Sequence, residues 1–231
     1  MRTRLSAILA ATAVTVGAVA ASALPASANP AARVPIRTYH EAASFNLIGT
    51  GALAGWYHRF NLVELMAFSP HLEFYSTYRD EGFNNNGKPV KTNYVEYIVG
   101  GSLYTRANGG RWNVRKQSPR QLQADIYGLD PAVSLAKFRA IPGVTLVGPR
   151  HYQVTASPAH ANAFLSYEYY LTSSDLASGH ITAVTLSAWT DGNGHVTKFV
   201  ITAKSAEETV NIVETFTAYN RPLTITAPRT H

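Results

Sequence analysis

Residues 182–203 read TAVTLSAWTDGNGHVTKFVITA, and this stretch decides the class of fold. Apolar and polar side chains alternate in both halves of the stretch, as they do in strands with one buried face. The halves are separated by Asp191-Gly192-Asn193-Gly194, residues that accept the positive φ angles of a tight turn. The stretch therefore predicts a β-hairpin within an antiparallel sheet.

Strand patterns continue on both sides of this hairpin. Downstream, residues 209–219 predict a long strand, and residues 223–226 predict a last short one. Upstream, residues 94–99 and 102–106 flank the turn Gly100-Gly101, and Trp112 with Val114 indicates a third strand. Single strands are also predicted over residues 72–79 and 144–156, whereas residues 60–68 fit either a short helix or a buried strand.

Helix signals lie between these strand groups. Ser118-Pro119 and Asp130-Pro131 each pair an N-cap side chain with a proline in the first turn, and residues 159–171 carry a third helical pattern. Strands, then helices, then strands without regular βαβ alternation predict an α+β fold. We expect the helices to gather on one face of an open, curved antiparallel sheet.

The first 28 residues predict a cleavable signal peptide. Arg2 and Arg4 precede an apolar run over residues 5–24, and Ala26-Ser27-Ala28 offers a cleavage site. A membrane-spanning helix is the weaker interpretation, because the run is mostly Ala, Val, Ser and Thr. We therefore expect a secreted, extracellular protein with a flexible arm over residues 29–38 and one domain over residues 39–231.

Composition limits the classes of function. The chain contains no cysteine, which excludes disulfides and thiolate metal sites. Removing Arg2 and Arg4 with the signal lowers the net charge from +6 to +4. This mild excess is spread along the chain, so nucleic-acid binding is not expected, while an anionic membrane or cell-envelope surface is compatible with it.

Catalytic patterns are weak. Gly100-Gly101-Ser102 is not followed by the glycine of a nucleophile elbow, and the histidines do not show the spacing of a zinc site. Glu207 and Glu208 are sequence neighbours, an arrangement that does not place two carboxylates in one cleft. The sequence predicts a protein that is not an enzyme and that holds no metal and no cofactor.

The order of the turns and strands resembles the LolA-like fold, and within it the actinobacterial lipoproteins of the LppX and LprG type. The segments that carry the resemblance are VGGSLY (99–104) followed by Trp112, VGPRHY (147–152), WTDGNG (189–194) and TAYNRP (217–222) through Pro228. The resemblance implies a half-barrel sheet with helices covering its concave face and an apolar ligand, usually a lipid, held between them. Members of that group carry a lipid-modified cysteine, which this chain lacks.

We therefore expect a secreted monomer that binds a lipid or another apolar ligand in a cavity between sheet and helices. An extracytoplasmic protein-interaction or sensor domain with the same fold and a filled core is the alternative. Twelve apolar and aromatic residues are the candidates for the cavity lining: Phe74, Tyr78, Tyr97, Tyr104, Leu122, Ile126, Leu135, Phe138, Phe164, Tyr167, Phe199 and Phe216.

Overall fold

A computed structural model describes residues 35–51, 54–55, 57–68, 72–83, 88–118, 120–122, 130–168, 176–177 and 179–230, with backbone alone at residues 166–168. The predicted signal and most of the predicted arm lie outside the described residues. From Ile36 onward the chain forms one compact unit, Ile36–His231. None of the described helices combines the length and apolar character needed to cross a membrane.

The described residues contain eleven strands, all in one antiparallel sheet. The strands are β1 Thr38–Gly49, β2 Tyr57–Ala67, β3 Glu73–Phe83, β4 Pro89–Val99, β5 Ser102–Ala107, β6 Asn113–Lys116, β7 Thr145–Gly148, β8 His151–Ala156, β9 Val184–Thr190, β10 Val196–Lys204 and β11 Glu208–Thr217. Their order across the sheet is β6-β5-β4-β3-β2-β1-β11-β10-β9-β8-β7, so β6 and β7 are the edges.

The sheet consists of two meanders joined at its centre. Strands β1–β6 form one and β7–β11 the other, and each strand pairs with its sequence neighbours. The join is the pairing of β1 with β11, whose register runs from His40 opposite Thr217 to Gly49 opposite Glu208. This pairing brings the first and last strands of the chain together and makes one continuous sheet.

Two helices, α1 Pro131–Arg139 and α2 Pro158–Glu168, follow β6 and β8, and residues 120–122 are also helical. The predicted start of α1 is confirmed, because the Asp130 carboxylate accepts a hydrogen bond from the Ala132 amide at 2.8 Å. The predicted Ser118 start is confirmed as well: its hydroxyl accepts from the Gln121 amide at 3.3 Å, and the Gln121 side chain accepts from the Ser118 amide at 2.9 Å.

Aromatic side chains tie the helices to the sheet. Phe138 of α1 and Phe164 of α2 pack against each other with ring centroids 5.7 Å apart, and both contact Phe199 of β10. The contacts continue from Phe199 to Phe216 of β11 and from there to Tyr39 of β1. This chain of rings crosses the central join of the sheet and belongs to its hydrophobic core.

The expected fold class is wrong. The sequence predicted an α+β fold with helices covering the concave face of a half-barrel, whereas the molecule is mostly one large antiparallel sheet with short helices. Helices α1 and α2 pack on each other and lie against β10 and β8. Strands account for most of the fold because each helix is only two to three turns long and contributes little area.

Individual strands also differ from the expectation. Residues 144–156 form two strands, β7 and β8, rather than one, because Arg150 adopts a positive φ of 59° in the turn between them. The ambiguous run at residues 60–68 belongs to strand β2. The hairpins at Gly100-Gly101 and Asp191-Gly194 are confirmed, with φ of 56° and 71° at the first pair.

The C-terminal segment is extended but does not form the short strand predicted at residues 223–226. Instead it crosses the sheet. The Thr38 hydroxyl of β1 donates to the Arg221 carbonyl at 2.7 Å, and the Ile225 amide donates to the Glu73 carboxylate of β3 at 3.1 Å. Ile225 is buried, so this segment is part of the folded unit.

The ring cluster predicts a large loss of stability on truncation. Phe199 is 1% exposed, so Phe199→Ala should lower the free energy of unfolding by about 3–5 kcal/mol. The control is Val63→Ala, because Val63 is 45% exposed and should change the same quantity by roughly 0.5 kcal/mol or less. Urea unfolding followed by circular dichroism measures both, and equal effects of the two substitutions would contradict this account of the core.

Candidate functional site

Side-chain alternation divides the sheet into two faces. The inner face, which the helices contact, carries Tyr39, Met66 and Phe216 in neighbouring strands, and all three are buried. The outer face carries mostly polar or exposed residues such as Asn61 and Arg79. A functional pocket for an apolar ligand is therefore expected on the inner face.

Five side chains on the inner face of β1–β4 adjoin one another, and we call them the aromatic surface: Phe45, Phe60, Leu62, Tyr78 and Tyr94. Phe45 lies opposite Phe60, whose ring centroid is 5.2 Å from that of Tyr78. Tyr78 and Tyr94 stack with centroids 4.5 Å apart and an interplanar angle of 16°. All except Tyr78 are only half-buried, unlike the rings that pack under the helices.

A row of polar side chains crosses the inner face directly beside the aromatic surface. Glu41, Glu64, Ser76 and Glu96 occupy directly opposed positions on β1, β2, β3 and β4, and we call them the carboxylate row. The three glutamates are 4–6% exposed. Opposed side chains in an antiparallel pair have Cβ atoms about 5 Å apart. The row therefore brings three acidic side chains together on the inner face.

A fourth buried glutamate, Glu214 of β11, lies on the same face opposite Ala43. All four glutamates interact with other groups of the protein, as buried carboxylates must. Chemically, such side chains accept hydrogen bonds or balance positive charge. Ser76 is fully buried between two of them and is closed to a substrate.

The sequence analysis missed these glutamates, although a signal was present. In β1, β2 and β11 a glutamate occupies a position where the alternation requires an apolar residue. In β11, for example, Glu214 follows Val210 and Ile212 and precedes Phe216 on the inner face. A charged residue on the apolar side of several strands indicates a buried polar site.

On its other side the aromatic surface is flanked by a hydrogen-bonded histidine–aspartate pair. The His58 Nε2 and Asp80 Oδ1 atoms are 2.7 Å apart, and both side chains lie on the inner face next to Phe60. The imidazole fits there because the opposing residue is Gly82, where an added Cβ would lie 3.2 Å from His58 Cδ2. Polar groups thus border the aromatic surface along both strand directions.

The predicted lining residues fall into three groups. Phe74, Tyr78, Phe199 and Phe216 lie on the inner face and are buried. Among the candidates in helical segments, Leu135, Phe138 and Phe164 are fully buried. Leu122 is half-buried against the core. Ile126 and the side chain of Tyr167 lie outside the described residues.

The third group corrects the prediction. Tyr97 and Tyr104 lie opposite each other on the outer face, away from Phe74 and Tyr78. Side chains alternate along a strand, and each of the two tyrosines is next to an inner-face residue, Ile98 or Leu103. Tyr97 packs against Tyr75 at 4.9 Å and against Trp112 at 5.7 Å. Burial, with a smaller effect of Tyr75, raises the pKa of the Tyr97 hydroxyl. These two residues cannot line a pocket on the inner face.

Metal or cofactor binding is not indicated by the side chains. Within the part of the chain that the structure describes, no group of three or more histidine, aspartate or glutamate side chains is arranged to hold a metal ion. A further histidine–aspartate pair is His195 with Asp191, which closes the β9–β10 turn through a 3.2 Å contact. Its place in a hairpin indicates a structural role.

Comparisons with known proteins do not assign the chain to a family. No protein-family model matches it, and no curated protein is significantly similar to it. Among solved structures, a beta-barrel-like protein of domain of unknown function DUF1849 from Brucella abortus is 7% identical, over 80% of this chain and 100% of that one, with a TM-score of 0.26. A likeness at this level carries no argument about fold or function.

One further carboxyl on the inner face is electrostatically unusual. Glu208 of β11 is buried at the end of the strand, and its carboxylate lies against Gly179, where a side chain would not fit. Burial raises the pKa of the Glu208 carboxyl above its ordinary value. Its neighbour Glu207 is instead partly exposed and pairs with His180 at 2.9 Å.

The buried Glu208 carboxyl predicts that the stability of the protein depends on pH. A carboxyl whose pKa is raised by folding stabilises the protein while it is protonated, and that contribution is lost as pH rises through the folded-state pKa. The free energy of unfolding of Glu208→Gln, relative to that of the unmodified protein, should therefore be higher at pH 7 than at pH 4. Val63→Ala is the control, because it changes an exposed side chain without removing a titratable group, and it should show no such change with pH. Urea unfolding at both pH values measures this, and a pH-independent difference for Glu208→Gln would contradict it.

Proposed function

We propose that the protein is a secreted, non-catalytic carrier that binds the acyl chain of a lipid, or a similar apolar ligand, on the aromatic surface. The observation that carries this proposal is the contrast between the two halves of the inner face. Rings near the helices are fully buried, whereas Phe45, Phe60 and Tyr94 adjoin one another and are only half-buried. Apolar rings that share one surface and keep contact with solvent favour an apolar ligand.

The magnitude of the hydrophobic effect sets a minimum length for the apolar chain of the ligand. Each methylene removed from water contributes about 0.8 kcal/mol, and micromolar affinity corresponds to about 8 kcal/mol. A chain of about ten methylenes is therefore needed before other costs are counted. The aromatic surface crosses four strands, which span about 14 Å at the usual strand spacing.

The polar borders limit how the ligand lies. The carboxylate row runs along one side of the aromatic surface, and the His58–Asp80 pair lies on the other. Placing methylenes against a buried carboxylate gains little, because charged groups favour polar neighbours. The bound chain is thus expected to run across the strands, along Phe45, Phe60 and Tyr78.

The alternative is a protein-interaction module. It is favoured by one observation: edge strand β7 exposes Leu146 by 62% and Val147 by 51%. Exposed apolar side chains on an edge strand can pair with another protein. The two functions differ in their dependence on the inner face, which makes them separable by experiment.

A substitution on the aromatic surface tests the carrier. Phe60→Asn should raise the dissociation constant of a fluorescent fatty acid, dansyl-undecanoate, at least tenfold, because a phenyl contact worth about 1.5–3 kcal/mol is lost. Val63→Asn is the matched control, since Val63 lies on the same strand but on the outer face, and should bind the probe normally. Fluorescence titration measures both constants.

Extraction of the purified protein supplies the second readout. Native mass spectrometry is expected to show bound lipid that disappears in Phe60→Asn and persists in Val63→Asn. Protein that contains no lipid and does not bind the probe would rule out the carrier and leave the interaction module. Equal loss in both variants would show that the aromatic surface is not the binding site.

A further inference from the structure

The two edges of the sheet are strands β6 and β7. The edge at β6 carries a distinct surface, which we call the β6 edge: Arg111, Trp112, Val114, Arg115 and Lys116. Strand β6 is the last strand on this side, and all four of its residues are exposed, with Val114 at 47%. Arg111 and Trp112 precede the strand in the turn that follows β5. Trp112 is half-buried and the other four residues of the β6 edge are exposed. Val114 and Lys116 lie on the outer face of this edge strand, and Arg115 lies on its inner face.

The β6 edge has a strong excess of positive charge. Residues 97–122 contain five arginines and lysines and no aspartate or glutamate: Arg106, Arg111, Arg115, Lys116 and Arg120. None of these five forms an ion pair within the residues that the structure describes. The net charge of the whole chain is only +6, so this region holds much of the excess. Three of the five, Arg111, Arg115 and Lys116, belong to the β6 edge, and unpaired cations at one border attract an anionic partner.

Aromatic side chains lead to this edge across the outer face. Tyr75, Tyr97, Tyr104 and Val114 occupy directly opposed positions on β3, β4, β5 and β6. The Trp112 ring meets Tyr97 edge-to-face, and the Arg106 guanidinium lies 4.5 Å above the Trp112 ring. Cations therefore lie beside amphipathic rings and an exposed valine.

We infer that the β6 edge docks the protein on an anionic phospholipid bilayer. Arginine and lysine bind lipid phosphates, while tryptophan and tyrosine favour the headgroup level, where an apolar ring and a polar group are both satisfied. A single-stranded nucleic acid fits less well, because stacking of bases requires a free ring face and Arg106 already covers one face of Trp112. The inference goes beyond the proposed carrier function and does not depend on it.

Charge-matched variants test this inference. The edge variant is Arg111→Gln/Arg115→Gln/Lys116→Gln, and the control is Arg37→Gln/Arg59→Gln/Lys204→Gln, which removes three exposed cations elsewhere. Purified proteins are sedimented with vesicles of phosphatidylglycerol and phosphatidylcholine in equal parts, or of phosphatidylcholine alone, at about 0.1 M salt, where screening is moderate. The edge variant should bind the anionic vesicles about a hundredfold more weakly than the unmodified protein, and the control less than tenfold more weakly.

Four outcomes decide the result. Selective loss in the edge variant, with no binding to phosphatidylcholine alone, supports the inference. Equal loss in both variants shows general charge attraction and overturns it. Absence of vesicle binding by the unmodified protein, or binding to single-stranded DNA in place of vesicles, overturns it as well. Dansyl-undecanoate binding, measured on the same samples, tests the carrier separately, and equal thermal stability of the variants shows that each is folded.

Discussion

The register in which β1 pairs with β2 on one side and with β11 on the other is the constraint on which the rest of the structure depends. Side chains alternate along a strand, so a slip of one residue would send Tyr39 and Phe216 to the solvent side. The two ladders contain ten and eleven residue pairs, and they share the same central strand. Together they define one inner face across both meanders, and every surface described above is positioned by that choice.

The two halves of the inner face differ in how completely they are packed. Near the helices, Phe138, Phe164 and Phe199 form a closed cluster that supplies stability. On β1–β4 the same face carries the carboxylate row and half-buried rings, an arrangement that costs desolvation and leaves apolar surface uncovered. Apolar residues in place of Glu41 and Glu64 would avoid this desolvation cost, so the first half of the sheet is not built for stability alone.

Local signals in the sequence predicted local structure well and surfaces poorly. The turns at Gly100-Gly101 and Asp191-Gly194 and the Asp130 cap were predictable because each depends on a few adjacent residues. The predicted fold class was wrong because the helix signals mark short helices, whereas eleven strands make up most of the described structure. Residues 94–99 carry apolar side chains on both faces, so alternation does not assign Tyr97 to either one. Only pairing with strands distant in sequence fixes that assignment, and it also reveals the carboxylate row.

The central position of β1 has a consequence for how the chain is made. β1 is the first of the described strands to be synthesised, but one of its two partners, β11, is synthesised about 170 residues later. Until β11 is available, the backbone groups on one side of β1 have no partner strand. Contacts so distant in sequence form slowly. The sheet is therefore completed only after nearly the whole chain is available, and a chain that stops before β11 leaves one side of β1 unpaired.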